Sequence, residues 1–187
     1  MKYGEILILF SKLNRLNKKL SDVGGKGTGW NYTFDDGTTT KYTFKKFRDF
    51  ESIQDDVENY FLWLWNLKDY LKSISKNKQM VEDIVNSNIN MKVSGDIANR
   101  LKHSTLRESR SGLFPKLGKL KVTISQNNVS KITFYKDEVE IDPKDANDAE
   151  LSLPIYDCNE NKIIDSFELI RIVEKEWDKI FQKLKVV

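Results

Sequence analysis

Residues 47–75 run FRDFESIQDDVENYFLWLWNLKDYLKSIS. Phe50, Ile53, Val57, Phe61, Leu64, Leu67 and Leu71 recur at three- and four-residue steps, the spacing of one helical face, and Trp63, Trp65 and Tyr70 widen it. The stretch predicts a central helix. A stripe this rich in large rings is more often core than cofactor lining, because aromatic side chains dominate burial. Its most apolar part, Tyr60 to Trp65, is closed at once by Asn66, Lys68 and Asp69, well short of the roughly 18 residues a membrane span needs. No membrane segment is expected.

Upstream, Ile6, Leu9, Phe10, Leu13, Leu16 and Leu20 give an amphipathic helix over 3–21. It leads into Gly24-Gly25-Lys26-Gly27-Thr28-Gly29, which lacks both the spacing and the preceding strand of a phosphate-binding loop and reads as a connector. Trp30, Tyr32 and Phe34 then alternate with polar residues, Asp35-Asp36-Gly37 supplies a turn, and Tyr42 and Phe44 resume the alternation. This is a β-hairpin over 30–44.

Downstream, residues 79–87 (Met80, Ile84, Val85) and 90–103 (Val93, Ile97, Leu101) read as two more helices, so that 47–103 is helical with breaks. Gly112 and Pro115 end the pattern. Strands follow at 120–125, 131–135 and 138–141, with a turn at 126–128, and 151–156 adds another, giving a β-meander over 119–156. Asp165 opens a last helix, 165–185, on Phe167, Ile170, Val173, Trp177, Phe181 and Leu184. The expectation is a single α+β domain over 1–187: mainly a helical bundle, with an N-terminal β-hairpin and a small antiparallel β-meander before the last helix.

Composition removes several classes of chemistry. Among 187 residues there are one cysteine, Cys158, and one histidine, His103, which excludes an internal disulfide and a four-ligand zinc site of Cys and His. The apolar start is short and runs into Ser11-Lys12, so no signal peptide is read and a cytoplasmic location is expected. The 31 basic and 28 acidic residues nearly balance at +3, but they are segregated. Arg100, Lys102, Arg107, Arg110, Lys116, Lys119 and Lys121 oppose Glu108 alone, +6 over 22 residues, whereas 137–160 holds nine acidic residues against Lys144. The basic run suits an anionic ligand such as RNA, and the same charges also suit a solvated surface.

Within Ser94–His103, Asp96, Asn99, Arg100 and His103 share one helical face. An imidazole acting as acid or base (His103), with Arg100 to stabilise charge on a phosphorane, are the parts of metal-independent RNA cleavage. Lys102, Arg107, Arg110 and Lys116 would hold phosphates, and Asp96 and Asn99 would support the site. The same residues equally suit a helix C-terminus and ordinary surface pairing.

The run Trp63-Leu64-Trp65-Asn66-Leu67-Lys68-Asp69-Tyr70-Leu71, followed by Gly95-Asp96-Ile97-Ala98-Asn99-Arg100-Leu101-Lys102-His103, resembles HEPN-type helical-bundle proteins of prokaryotes and their viruses. The resemblance covers mainly residues 50–110. It implies a homodimeric bundle in a bacterial or phage conflict system such as toxin–antitoxin or phage defence, either a metal-independent endoribonuclease or a non-catalytic RNA-binding or adaptor form with a protein partner. Catalytic members place their arginine further ahead of the histidine than Arg100, which only Leu101 and Lys102 separate from His103. That departure keeps a non-catalytic dimeric interaction module as the alternative.

A second candidate lies at 157–168, where Asp157, Asn159, Asn161, Asp165 and Glu168 stand at positions 1, 3, 5, 9 and 12 of a run that resembles an EF-hand calcium loop. Lys162 replaces the turn glycine, and Leu151–Tyr156 reads as a strand where an entering helix is needed. A β-turn at 159–161 and a capping box of Asp165 with Glu168 explain the same residues. No other cofactor is implied.

Overall fold

The computed structural model describes residues 2–75 and 77–184, apart from the side chains at 2–7, 10, 183 and 184. The expected inward positions of Ile6, Phe10 and Leu184 lie outside the described side chains. The described residues form five helices: α1 (Lys2–Leu20), α2 (Phe50–Ile74), α3 (Lys78–Ser87), α4 (Ile89–His103) and α5 (Ser166–Leu184). The strands are β1 (Thr28–Thr33), β2 (Thr39–Phe44), β3 (Lys116–Leu117), β4 (Lys121–Thr123), β5 (Val129–Phe134), β6 (Glu138–Pro143), β7 (Glu150–Ser152), β8 (Pro154–Tyr156) and β9 (Lys162–Asp165). The protein is α+β, with the N-terminal hairpin and the antiparallel strands before the last helix in place. No described helix is long and apolar enough to cross a membrane.

Contacts gather the chain into two compact units, one of residues 1–17, 57–119 and 152–187 and the other of 18–56 and 120–151. In the first, α2 buries Val57, Phe61, Leu64, Leu67 and Leu71 of the stripe read from its spacing, and Tyr60 beside them. Met91, Val93, Ile97 and Ala98 of α4 and Leu169, Val173, Trp177 and Phe181 of α5 are buried as well. Trp63 is half-buried, with the Lys12 ammonium 3.2 Å from its ring centroid.

Asparagines set the helix boundaries. The Asn77 side chain accepts from the Met80 N–H (3.0 Å) to start α3, and the Asn88 side chain accepts from Asn90 and Met91 (2.9 and 3.3 Å) to start α4 directly after α3 ends. Gly95 lets α4 approach α2, since a Cβ there would lie 2.5 Å from two ring carbons of Trp65. The same unit holds a small antiparallel sheet in the order β3-β8-β9.

The second unit is built on a sheet of order β1-β2-β6-β5. β1 and β2 form the hairpin, closed by Phe34 N–H donating to Thr38 O (2.8 Å), with Gly37 at φ 82° and Asp36 Oδ1 accepting from the Thr38 N–H (2.9 Å). β5 and β6 form another antiparallel pair, and β6 joins β2 in parallel. β4 pairs with β7 rather than with β5. The strands read as one meander are therefore shared among three sheets. Val23, Phe44, Phe47, Ile53 and Ala146 form this unit's core, with Val122, Ile124, Ile141 and Leu151 against it.

Candidate functional site

The polar face of α4 divides into two pairs with different tasks. Asp96 is fully buried, and its carboxylate accepts four hydrogen bonds from the segment that follows the helix: Ser109 Oγ (2.7 Å), Arg110 N–H (2.8 Å), Ser111 N–H (2.9 Å) and Ser111 Oγ (2.7 Å). Burying a carboxylate is costly unless its lone pairs are taken up, and here a short turn of small polar residues does this. One turn along, the Arg100 guanidinium donates to Pro115 O (2.9 Å) and Phe114 O (3.2 Å). Phe114 has φ 49°, unusual for a bulky residue; Ser109 Oγ on its N–H (3.2 Å) and Arg100 on its carbonyl hold it there. Asp96 and Arg100 thus fasten the 109–115 segment to α4. Arg100 clamps the backbone through two of its nitrogens, and Asp96 is a buried anchor.

The other pair, Asn99 and His103, faces an open groove of about 550 Å³ that Thr105, Leu106, Arg107 and Glu108 complete. α4 ends here because Ser104 takes a left-handed conformation (φ 59°) and turns the chain back along the groove. His103 and Arg107 are exposed and carry no hydrogen bond or ion pair from other described residues. The groove therefore offers a guanidinium, an imidazole, a primary amide and a hydroxyl around Leu106, with Glu108 the one carboxylate among its described lining residues.

The remaining expected phosphate ligands are dispersed. Lys102 donates to the Asn66 side chain (2.9 Å). Lys116 is paired with Glu160 of the β8–β9 loop. Arg110 reaches Glu82 (3.3 Å) and Asn86 (3.1 Å) and lies 5.3 Å from the Trp65 ring centroid. Lys68, 5% exposed, lies near the same ring (4.5 Å), and Lys68 and Lys72 both donate to Glu82 (3.2 and 2.6 Å). Burial alone would push the Glu82 carboxyl up, but the Lys72 and Lys68 ammoniums outweigh it and hold the group at about 2. This cluster ties the 104–115 segment to α2 and α3.

The calcium ligands expected from spacing do not converge. Residues 162–165 are strand β9 paired with β8, so 157–161 is a hairpin loop. The Asp157 carboxylate is occupied by the Asn159 N–H (2.8 Å), the Asn161 N–H (2.8 Å) and the Asn161 amide (3.2 Å), and the Asn161 backbone bond foremost holds it below the usual carboxylate range. Asp165 accepts from Phe167 N–H (3.0 Å) as the N-cap of α5 and from Ser152 Oγ (2.7 Å), while Glu168 is exposed on the first turn. Among the described residues no group of three or more His, Cys, Asp or Glu gathers for a metal ion.

Thr105, Leu106 and Glu108 of the groove, and Ser109 and Ser111 of the anchor, are additions to the sequence-based set. Ser109-Arg110-Ser111-Gly112 carried the available signal: small polar residues past a helix end offer N–H and hydroxyl donors together. No family model, curated protein or solved structure matches this chain.

Proposed function

We propose that this protein is an RNA-associated binding protein that holds a single-stranded phosphate backbone in the Asn99–Glu108 groove without cutting it. One observation carries this reading: His103 and Arg107 stand unpaired at one open groove, while Arg100 donates through Nε and Nη2 to backbone carbonyls. A guanidinium recognises a phosphate through two parallel N–H donors, and Asn99 and Thr105 add neutral contacts to phosphate or sugar. Cleavage needs a second cation at the scissile phosphate beside the acid/base group, and the nearest arginine along the helix is committed to holding Phe114 and Pro115. The resemblance of residues 50–110 to HEPN-type proteins supports RNA as the ligand and a cytoplasmic role in a bacterial or phage conflict system, in its non-catalytic form.

Fluorescence anisotropy of a labelled single-stranded RNA, titrated with full-length protein at several salt concentrations, tests this. Affinity should fall with salt, and Arg107→Ala should weaken binding to all sequences alike and lower the log–log salt slope by about 0.7, one phosphate's share for a single strand. An Arg107→Ala and His103→Ala pair that binds like the wild type would remove the groove from the account.

A further inference from the structure

The second unit carries a surface unrelated to the groove. Strand register places Trp30, Tyr42, Val139 and Phe134 in one row across all four strands of the β1-β2-β6-β5 sheet, and Thr28, Phe44, Ile141 and Ile132 in the next. Neither row contains a charged residue. The second row meets the unit's own core, where Phe44 is 8% exposed beside Phe47 and Ile53. The two ends of the first row and the aromatics beyond it are open, with Tyr42 and Val139 half-buried between them: Trp30 is 41% exposed, Tyr32 52%, Phe34 42% and Phe134 75%, and Ile132, at the edge of the second row, is 47% exposed. Trp30 stacks on Tyr42 (5.5 Å, 16°) and Tyr32 meets Phe34 edge-on (4.8 Å, 77°), so the rings of the hairpin are held in two pairs. Isolated exposed apolar residues are ordinary, whereas a contiguous aromatic stripe across a sheet marks an interface.

Charge decides the class of partner. The cations of this sheet lie with the alternate positions or the strand ends: Lys41, Lys45 and Lys46 pair with Glu138 (2.9 Å), Glu140 (2.8 Å) and Asp142 (2.8 Å), and exposed Lys131 stands at an alternate position of β5. A nucleic acid or an anionic membrane stacking on the rings would find no free cation in either row. An uncharged apolar face repels no copy of itself and is self-complementary about a two-fold axis. At 150–250 Å² per large ring, the open parts of Trp30, Tyr32, Phe34, Ile132 and Phe134 amount to roughly 500 Å² per copy, or about 1,000 Å² for two, the lower bound of a specific interface.

We infer that this face is a self-association surface on which two copies of the chain pack sheet to sheet. Sheets joined in this way sit about 10 Å apart with their side chains interdigitated. Self-association here does not depend on the RNA reading, since no residue is shared with the groove.

Sedimentation velocity of the full chain across a range of concentrations tests it. A concentration-dependent dimer is expected. Phe134→Lys and Tyr32→Lys, both at exposed positions, should each raise the dimer dissociation constant at least tenfold while leaving the circular dichroism spectrum and melting transition of a folded protein. Asn31→Lys, on the opposite face of β1, should leave the dimer unchanged. A wild-type chain that stays monomeric at every concentration overturns the inference, whatever else the face binds. So does a dimer that neither Phe134→Lys nor Tyr32→Lys weakens.

Discussion

Replacing Asp96 by alanine is the sharpest test of the loop anchor. The wild-type carboxylate is fully buried and receives two backbone N–H and two hydroxyl donors between 2.7 and 2.9 Å. A hydrogen bond to a charged acceptor is worth about 1.5–3 kcal/mol net, so four would sum to roughly 6–12 kcal/mol if they were independent. They are not independent, and the cost of burying the carboxylate offsets part of the sum. Removing one partner of a buried charged network costs about 3–5 kcal/mol, and the 109–115 segment limits the loss further by peeling off to find water instead. The expected result is a destabilisation of about 3 kcal/mol, read as a lower urea midpoint with the slope nearly kept. Hydrogen exchange should lose its protection at Arg110 and Ser111, the two amides that donate to Asp96. A variant within about 0.5 kcal/mol of wild type, with those amides still protected, would refute the anchor.

Further consequences follow from the same geometry. Gly95→Ala places a methyl 2.5 Å from the Trp65 ring and should cost about 1–3 kcal/mol by chemical denaturation, with a changed tryptophan emission; a neutral or stabilising effect would mean that α2 and α4 are not in close contact. Stability should also depend on pH through Glu82. Its folded pKa of about 2 lies below the ordinary 4.5, so the unfolded chain binds the proton first, and the stabilisation present above 4.5 is lost as pH falls towards 2. The depression corresponds to ~3 kcal/mol at most, and screening at half-exposed Lys72 and Arg110 leaves about 1–2 kcal/mol, measurable as the part of the acid-induced loss that Glu82→Gln abolishes. Arg100→Lys keeps the charge but cannot span two carbonyls, so it should loosen Phe114 without adding or removing RNA cleavage.

The helices were legible because their information is local. The α2 stripe is a matter of spacing within one element, and every inward position from Ile53 to Leu71 is buried where that spacing put it. The boundary between α3 and α4 follows from Asn88, which caps α4 through its own side chain. Strand pairing was less legible because it joins distant segments: nothing within Lys121–Thr123 distinguishes pairing with β7 from pairing with β5, and the parallel β2–β6 contact links residues nearly a hundred positions apart. β9 was obscured by the calcium-like spacing, which strand pairing to β8 overrides. In α4, periodicity correctly gathered Asp96, Asn99, Arg100 and His103 on the polar side. It could not divide them, because the partners that engage Asp96 and Arg100 lie 13 to 15 residues downstream in irregular chain.

The central claim, that the groove holds RNA and leaves it whole, is tested most directly by recovering the bound RNA. Wild-type protein, Arg107→Ala and His103→Ala are each equilibrated in EDTA with an end-labelled single-stranded RNA, separated from free RNA, and the bound strand is sized on a denaturing gel. Full-length RNA bound by wild type, with less retained by both variants, is the expected result. Fragments that accumulate with wild type and vanish with His103→Ala would show His103 to be a cleaving residue and contradict the account.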